Sequence, residues 1–216
     1  MSNDDHLQQA VLAELKWEPG VTDAHIGVTA NDGVVTLTGH VETFAEKHAA
    51  ETATRRVKGV HAVADELEVQ LRPETHRTAE DIAAAAVERL AWDVSVPSDS
   101  VQVTVEDGWL TLTGEVDWHY QRVAAEQDVQ RLFGVVGVTN DIAIKSTVRP
   151  EGISDDIMHA LHRSWFFDPK TIAVTAEKGT VRLTGTVHSA HDRALAASTA
   201  WSAPGVTDVV NEITIA

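Results

Sequence analysis

Nine glycines set at one repeating interval constrain this chain more than any other feature in it. Gly33, Gly108 and Gly179 each precede a second glycine by six residues: Gly39, Gly114 and Gly185. Each of these lies twenty residues before a third: Gly59, Gly134 and Gly205. The text between them recurs as well. It runs Asp32-Gly-Val-Val-Thr-Leu-Thr-Gly-His-Val, then Asp107-Gly-Trp-Leu-Thr-Leu-Thr-Gly-Glu-Val, then Lys178-Gly-Thr-Val-Arg-Leu-Thr-Gly-Thr-Val. Glycines fixed against an alternating apolar strand mark backbone demands made once per unit, either a turn with positive φ or a close approach. The 216 residues therefore read as three tandem units, at 1–72, 76–147 and 151–216. Units of this size build limited cores, so packing between neighbours is expected.

Each unit opens with a helix signal. Ser2-x-x-Asp5 and Thr78-x-x-Asp81 have capping-box spacing, and Ser154-Asp155-Asp156 is a looser version. Apolar residues then recur every four positions, at Leu7, Val11, Leu15; Ile82, Ala86, Leu90; and Ile157, Leu161, Trp165. Trp17, Trp92 and Phe167 follow near the helix ends, and Trp17, Trp92 and Trp165 are expected in the core. An alternating strand comes next (Ile26, Val28, Ala30 in the first unit), then a glycine turn and a second strand with Val35 and Leu37 inward. An alanine-rich helix follows, roughly 43–58, 118–133 and 189–203, and a last strand closes each unit. The fold class is α+β: three αββαβ sandwiches, each a three-stranded mixed sheet with two helices on one face.

The 33 acidic and 17 basic residues leave a net charge of −16. Nucleic-acid binding needs a basic stripe to neutralise phosphates, and none is present. Bulk attraction to an anionic membrane is disfavoured for the same reason. There is no cysteine, which excludes disulfides, thiolate metal sites and a cysteine nucleophile. The start, Met1-Ser-Asn-Asp-Asp-His, lacks the basic and apolar runs of a secretory leader. The expectation is a cytoplasmic, soluble protein.

The Val35-Thr-Leu-Thr-Gly-His-Val41 strand, the turn glycine, a basic residue early in the second helix (Lys47, Arg122, Arg193) and the ending Gly205-Val-Thr-Asp-Val-Val-Asn211 together resemble the BON domain family of bacterial osmotic-stress, secreted and nodulation-associated proteins. Asn140 holds the same place in the second unit and Asp65 replaces it in the first, while the second unit has an inserted-looking Gly137. The resemblance implies αββαβ sandwiches that bind rather than catalyse. Roles it implies are contact with phospholipid surfaces, chaperoning of envelope proteins and potassium binding. Potassium would be held by oxygens such as backbone carbonyls, which leave no sequence signature.

Catalytic readings find little support. The glycine sets precede strands rather than a phosphate-binding loop and helix, and no Lys-Ser/Thr follows them. His188-Ser189-x-His191-Asp192 has triad residue types without a nucleophile elbow. His159-x-x-His162 and His188-x-x-His191 are histidine pairs without counterparts in the other units, and solvated helix faces commonly carry histidine, so no metal is assigned. Trp109, Trp118 and Trp201 each occur in one unit only. Trp109 alternates with inward Leu110, so it should lie on the threonine-rich face away from the helices, where an aromatic suggests either packing between units or binding. Trp201 replaces Arg55 and Gln130 and is expected to face outward. Lys170, Lys178 and Arg182 are the best local basic residues, because 149–216 carries only 8 acidic against 6 basic residues. The expectation is a non-enzymatic, stress-related binding or scaffold protein with a phospholipid or protein partner. A potassium sensor and a chaperone are the alternatives.

Overall fold

The computed structural model describes residues 2–145, 152–163 and 171–215. Each repeat forms its own three-stranded sheet. The first contains α1 (Asn3–Trp17), β1 (Ile26–Asn31), β2 (Val34–Val41), α2 (Phe44–Arg56) and β3 (Ala62–Val69). The second contains α3 (Ala79–Trp92), β4 (Val101–Glu106), β5 (Trp109–Val116), α4 (His119–Val129) and β6 (Gly137–Ile144). The third contains α5 (Ile153–Arg163), β7 (Ile172–Glu177), β8 (Thr180–Val187), α6 (Ala190–Trp201) and β9 (Asp208–Ile215). By packing, the chain divides into two compact units, one of residues 1–90, 103–111 and 127–139 and the other of the remainder.

In every sheet the middle strand is the second one. β1 runs antiparallel to β2, with Ile26 opposite Gly39 and Asn31 opposite Val34. β3 runs parallel to β2, with Val35 opposite Val63 and Val41 opposite Val69. The third repeat copies this register, Ile172 on Gly185 and Val181 on Val209. The hairpin turn has two consecutive positive φ values, 48° and 81° at Asp32 and Gly33 and 50° and 88° at Lys178 and Gly179. Two such residues match the right-handed twist of the flanking strands.

The helices take the positions that their periodicity sets. Leu15, Val11, Val35 and Leu37 are fully buried in the first core with Ala50 and Ala53 of α2. Leu161, Ile157, Val181, Leu183, Ala196 and Ala200 repeat this in the third. Ser2 caps α1 in a complete capping box with Asp5, and Thr78 and Asp81 exchange the same pair of bonds at 3.2 and 3.1 Å. Ser154 does not cap α5. It lies inside the helix, which already begins at Ile153, a residue buried in the core. Trp165 and Phe167 lie outside the described residues.

The residues that give the family resemblance work together as a clamp between second helix and last strand. In the second repeat Asn140 donates to the Arg122 carbonyl and to Glu126, both at 2.9 Å, and accepts the Ile142 N–H. Arg122 donates back to the Asn140 carbonyl at 2.9 Å. Arg193 and Asn211 repeat the exchange in the third. In the first repeat a carboxylate cannot donate, and the basic partner changes with it. Lys47 donates to the Leu67 carbonyl at 2.6 Å and lies 3.6 Å from Asp65, which accepts the Leu67 N–H.

Candidate functional site

The tryptophans singled out in the sequence do three different things. Trp109 begins β5, half exposed, while its neighbour Leu110 is fully buried. Its ring lies over Gly137, where an added Cβ would sit 2.4 Å from ring carbons. Its indole N–H donates to Thr139 Oγ1 at 2.8 Å. Gly137 therefore supplies the room that the indole occupies. Trp118 precedes α4, with its backbone N–H on Gln121 Oε1 at 3.0 Å.

Trp201 is not simply turned outward. At the end of α6 it is half-buried against the third core and stacks on His119, the first residue of α4, with ring centroids 3.9 Å apart and planes 15° from parallel. This contact joins the second helices of repeats two and three, in keeping with the packing between units expected of such small cores. Burial, then the charge of Arg122, hold the His119 imidazole below its ordinary 6.5, while Glu126 acts in the opposite direction. A lowered folded-state value means that the fold favours the neutral ring. The stability that goes with the buried neutral ring is therefore present above pH 6.5 and lost as pH falls through the lowered folded-state value. An NMR titration should place the His119 midpoint below 6.5, and Trp201→Ala should move it back toward that value. A midpoint above 6.5 would mean that the indole face stabilises the imidazolium more than burial disfavours it.

The basic residues singled out in the sequence are placed one by one. Lys170 lies outside the described residues. Lys178 occupies the β7–β8 turn with its ammonium 4.0 Å from Glu177. Arg182, on β8, is engaged with Glu212 of β9. His159 and His162 are exposed on α5, as is His188 after β8.

Among the described residues the most exposed large aromatics are Trp17 and Trp92, at 83% and 79%. This overturns the expectation that they belong to the core. Each comes two residues after the last buried leucine of its helix, Leu15 or Leu90. Two residues turn a helix through about 200°, so the indole leaves the far side from the core. That angle was the signal available in the sequence. Trp17 borders a shallow depression with Glu14, Lys16, Glu18, Pro19 and Arg56, in which Arg56 pairs with Glu14 and Glu18 at 3.1 and 2.6 Å. Near Trp92, Val94 is wholly exposed. Among the described residues no helix is long and apolar enough to cross a membrane.

The BON domain family model matches residues 3–70, 78–146 and 151–216. Osmotically-inducible protein Y of Escherichia coli (strain K12) is 33% identical over 147 residues, covering 66% of this chain and 73% of that protein. Two solved structures of CdsD, a structural protein of the Type III secretion system of Chlamydia trachomatis, align at 15% and 16% identity over 100% and 98% of this chain and 100% and 92% of theirs. Their TM-scores are both 0.28, too low to say anything about this fold. The chain belongs to the BON domain family and carries three tandem copies of the domain.

Proposed function

We propose that this protein is a non-enzymatic binding protein of the osmotic-stress response, meeting phospholipid surfaces through tryptophans at the ends of its first helices. The observation that carries the reading is the exposure of Trp17 and Trp92 at equivalent places in two repeats. An indole left in water by its own fold suits the membrane–water interface, where its apolar body and polar N–H are both accommodated. With a net charge of −16, attraction to anionic lipid contributes little. Apolar contact would hold the protein on the surface, and tandem repeats raise the effective concentration of each contact. The similarity to an osmotically inducible protein supports the stress role.

Flotation of the purified chain with phosphatidylglycerol or phosphatidylcholine vesicles tests this reading. Binding should survive moderate salt and fall about tenfold for each of Trp17→Ala and Trp92→Ala, the weight of ~1.4 kcal/mol per indole. Flotation on neither lipid, or flotation indifferent to both substitutions, would overturn it.

A further inference from the structure

The depression beside Trp17 brings an aromatic ring together with charges of both signs. It opens at the end of α1, has a volume of about 550 Å³ and is lined by Glu14, Lys16, Trp17, Glu18, Pro19 and Arg56. That volume suits a small molecule, whose sites run from roughly 300 to 1,000 Å³. Arg56 reaches it from the last position of α2. Its Nη2 donates to Glu18 Oε2 at 2.6 Å and lies 3.1 Å from Glu14 Oε1. One nitrogen thus serves both glutamates, so the second oxygen of each and the Nε and Nη1 donors take no part in that pairing. Both glutamates are half-buried, whereas the Trp17 indole is exposed. The two acids balance Lys16 and Arg56, which makes the depression neutral on a chain of net charge −16.

Trp92 holds the equivalent place in the second repeat with different neighbours in sequence. Arg89 stands where Glu14 does and pairs with Asp128 at 3.0 Å, and Ala91 stands where Lys16 does. An exposed indole at this place therefore does not depend on the glutamates. The mixed charge around it belongs to the first repeat.

We propose that this depression is a site for a small zwitterion bearing a trimethylammonium group, its cation against Trp17, Glu14 and Glu18 and its anion on Arg56 and Lys16. A quaternary ammonium donates no hydrogen bond, so it is held by the face of an indole and by the field of nearby carboxylates. A guanidinium offers its remaining donors to a carboxylate or a phosphate. Neutrality of the cluster favours a molecule carrying both charges over a free cation or a free anion. Glycine betaine, a free solute, and phosphocholine, a lipid headgroup, share this chemistry. The site has Trp17 in common with the proposed membrane contact and needs neither Trp92 nor a bilayer.

The test is NMR titration of the full chain with glycine betaine and with phosphocholine, following the indole N–H resonances. The Trp17 resonance should move saturably with at least one of them, at concentrations on the order of millimolar, while Trp92 stays in place. Saturation by glycine betaine alone assigns a free solute, and by phosphocholine alone a lipid headgroup; either supports the site. Glycine, which lacks the methyl groups, should leave Trp17 unmoved. Affinity should fall about tenfold in Arg56→Gln and in the Glu14→Gln/Glu18→Gln double variant. Surface ion pairs contribute little to folding, so both variants should keep the parent circular dichroism spectrum. No saturation by either compound, an equal response to glycine, an equal response of Trp92, or affinity unchanged in both variants overturns the proposal. Trp92→Ala separates this site from the membrane contact, since it should weaken flotation and leave the titration as it is.

Discussion

Alanine at Gly39, Gly114 or Gly185 is expected to unfold the repeat that carries it. These glycines sit in the middle strand at φ values of 110°, 133° and 129°, conformations that a side chain reaches only at a cost of about 1–3 kcal/mol. The space is also taken. A Cβ would lie 2.0 Å from the His25 carbonyl oxygen at Gly39, 2.1 Å from that of Ser100 at Gly114 and 1.9 Å from that of Thr171 at Gly185. The obstacle is backbone rather than a flexible side chain. Two of those carbonyls are already accepting strand bonds, from Glu115 at 3.2 Å and Thr186 at 3.0 Å. Relieving the overlap breaks the pairing of first and second strands, adding roughly 1–3 kcal/mol of overpacking to the strain. A total of about 2–6 kcal/mol is comparable to what a core of this size supplies. In denaturant, each variant should show one repeat melting early, and hydrogen exchange should lose protection in one sheet while the others keep it. Gly20→Ala is the control: its nearest neighbours would be 3.7 and 3.9 Å away, and its effect should be within ~0.5 kcal/mol.

The second large effect is expected at the helix-to-strand clamp. Asn140→Ala removes two donated bonds and one accepted bond from a half-buried position, at a cost of about 2–3 kcal/mol. Asn140→Asp should be worse, although it is nearly isosteric. The atom that donates to Glu126 at 2.9 Å becomes an acceptor facing another carboxylate. In the first repeat the equivalent Asp65 is tolerated because Lys47 stands beside it and Arg55 pairs with Glu51, which holds the place of Glu126. Chemical denaturation of Asn140→Ala and Asn140→Asp gives the ordering directly. Equal midpoints for the two variants would show that charge at this position is immaterial.

Much of this was legible in the residues. The recurrence of Gly33, Gly39 and Gly59 implied one fold three times, and the alternation of Val35 and Leu37 showed which face meets the helices. The clamp residues could be seen individually as family marks, but not as partners, because Arg122 and Asn140 are brought together only by the crossover from helix to strand. Gly137 reads as an insertion in the sequence alone, and only the fold shows that it makes room for the Trp109 ring. Trp17 and Trp92 face solvent because the angle around the helix, not nearness to its end, decides where an indole points. The stacking of His25 on His40, with ring centroids 4.5 Å apart, left no linear signature, since only the hairpin makes them neighbours.

The exposed indoles are the core of the functional account, and fluorescence quenching by vesicles with brominated acyl chains tests their role most directly. The parent protein should be quenched on binding, and the Trp17→Phe/Trp92→Phe double variant should lose most of that quenching. Equal quenching in the two proteins, or none in the parent, would contradict the account.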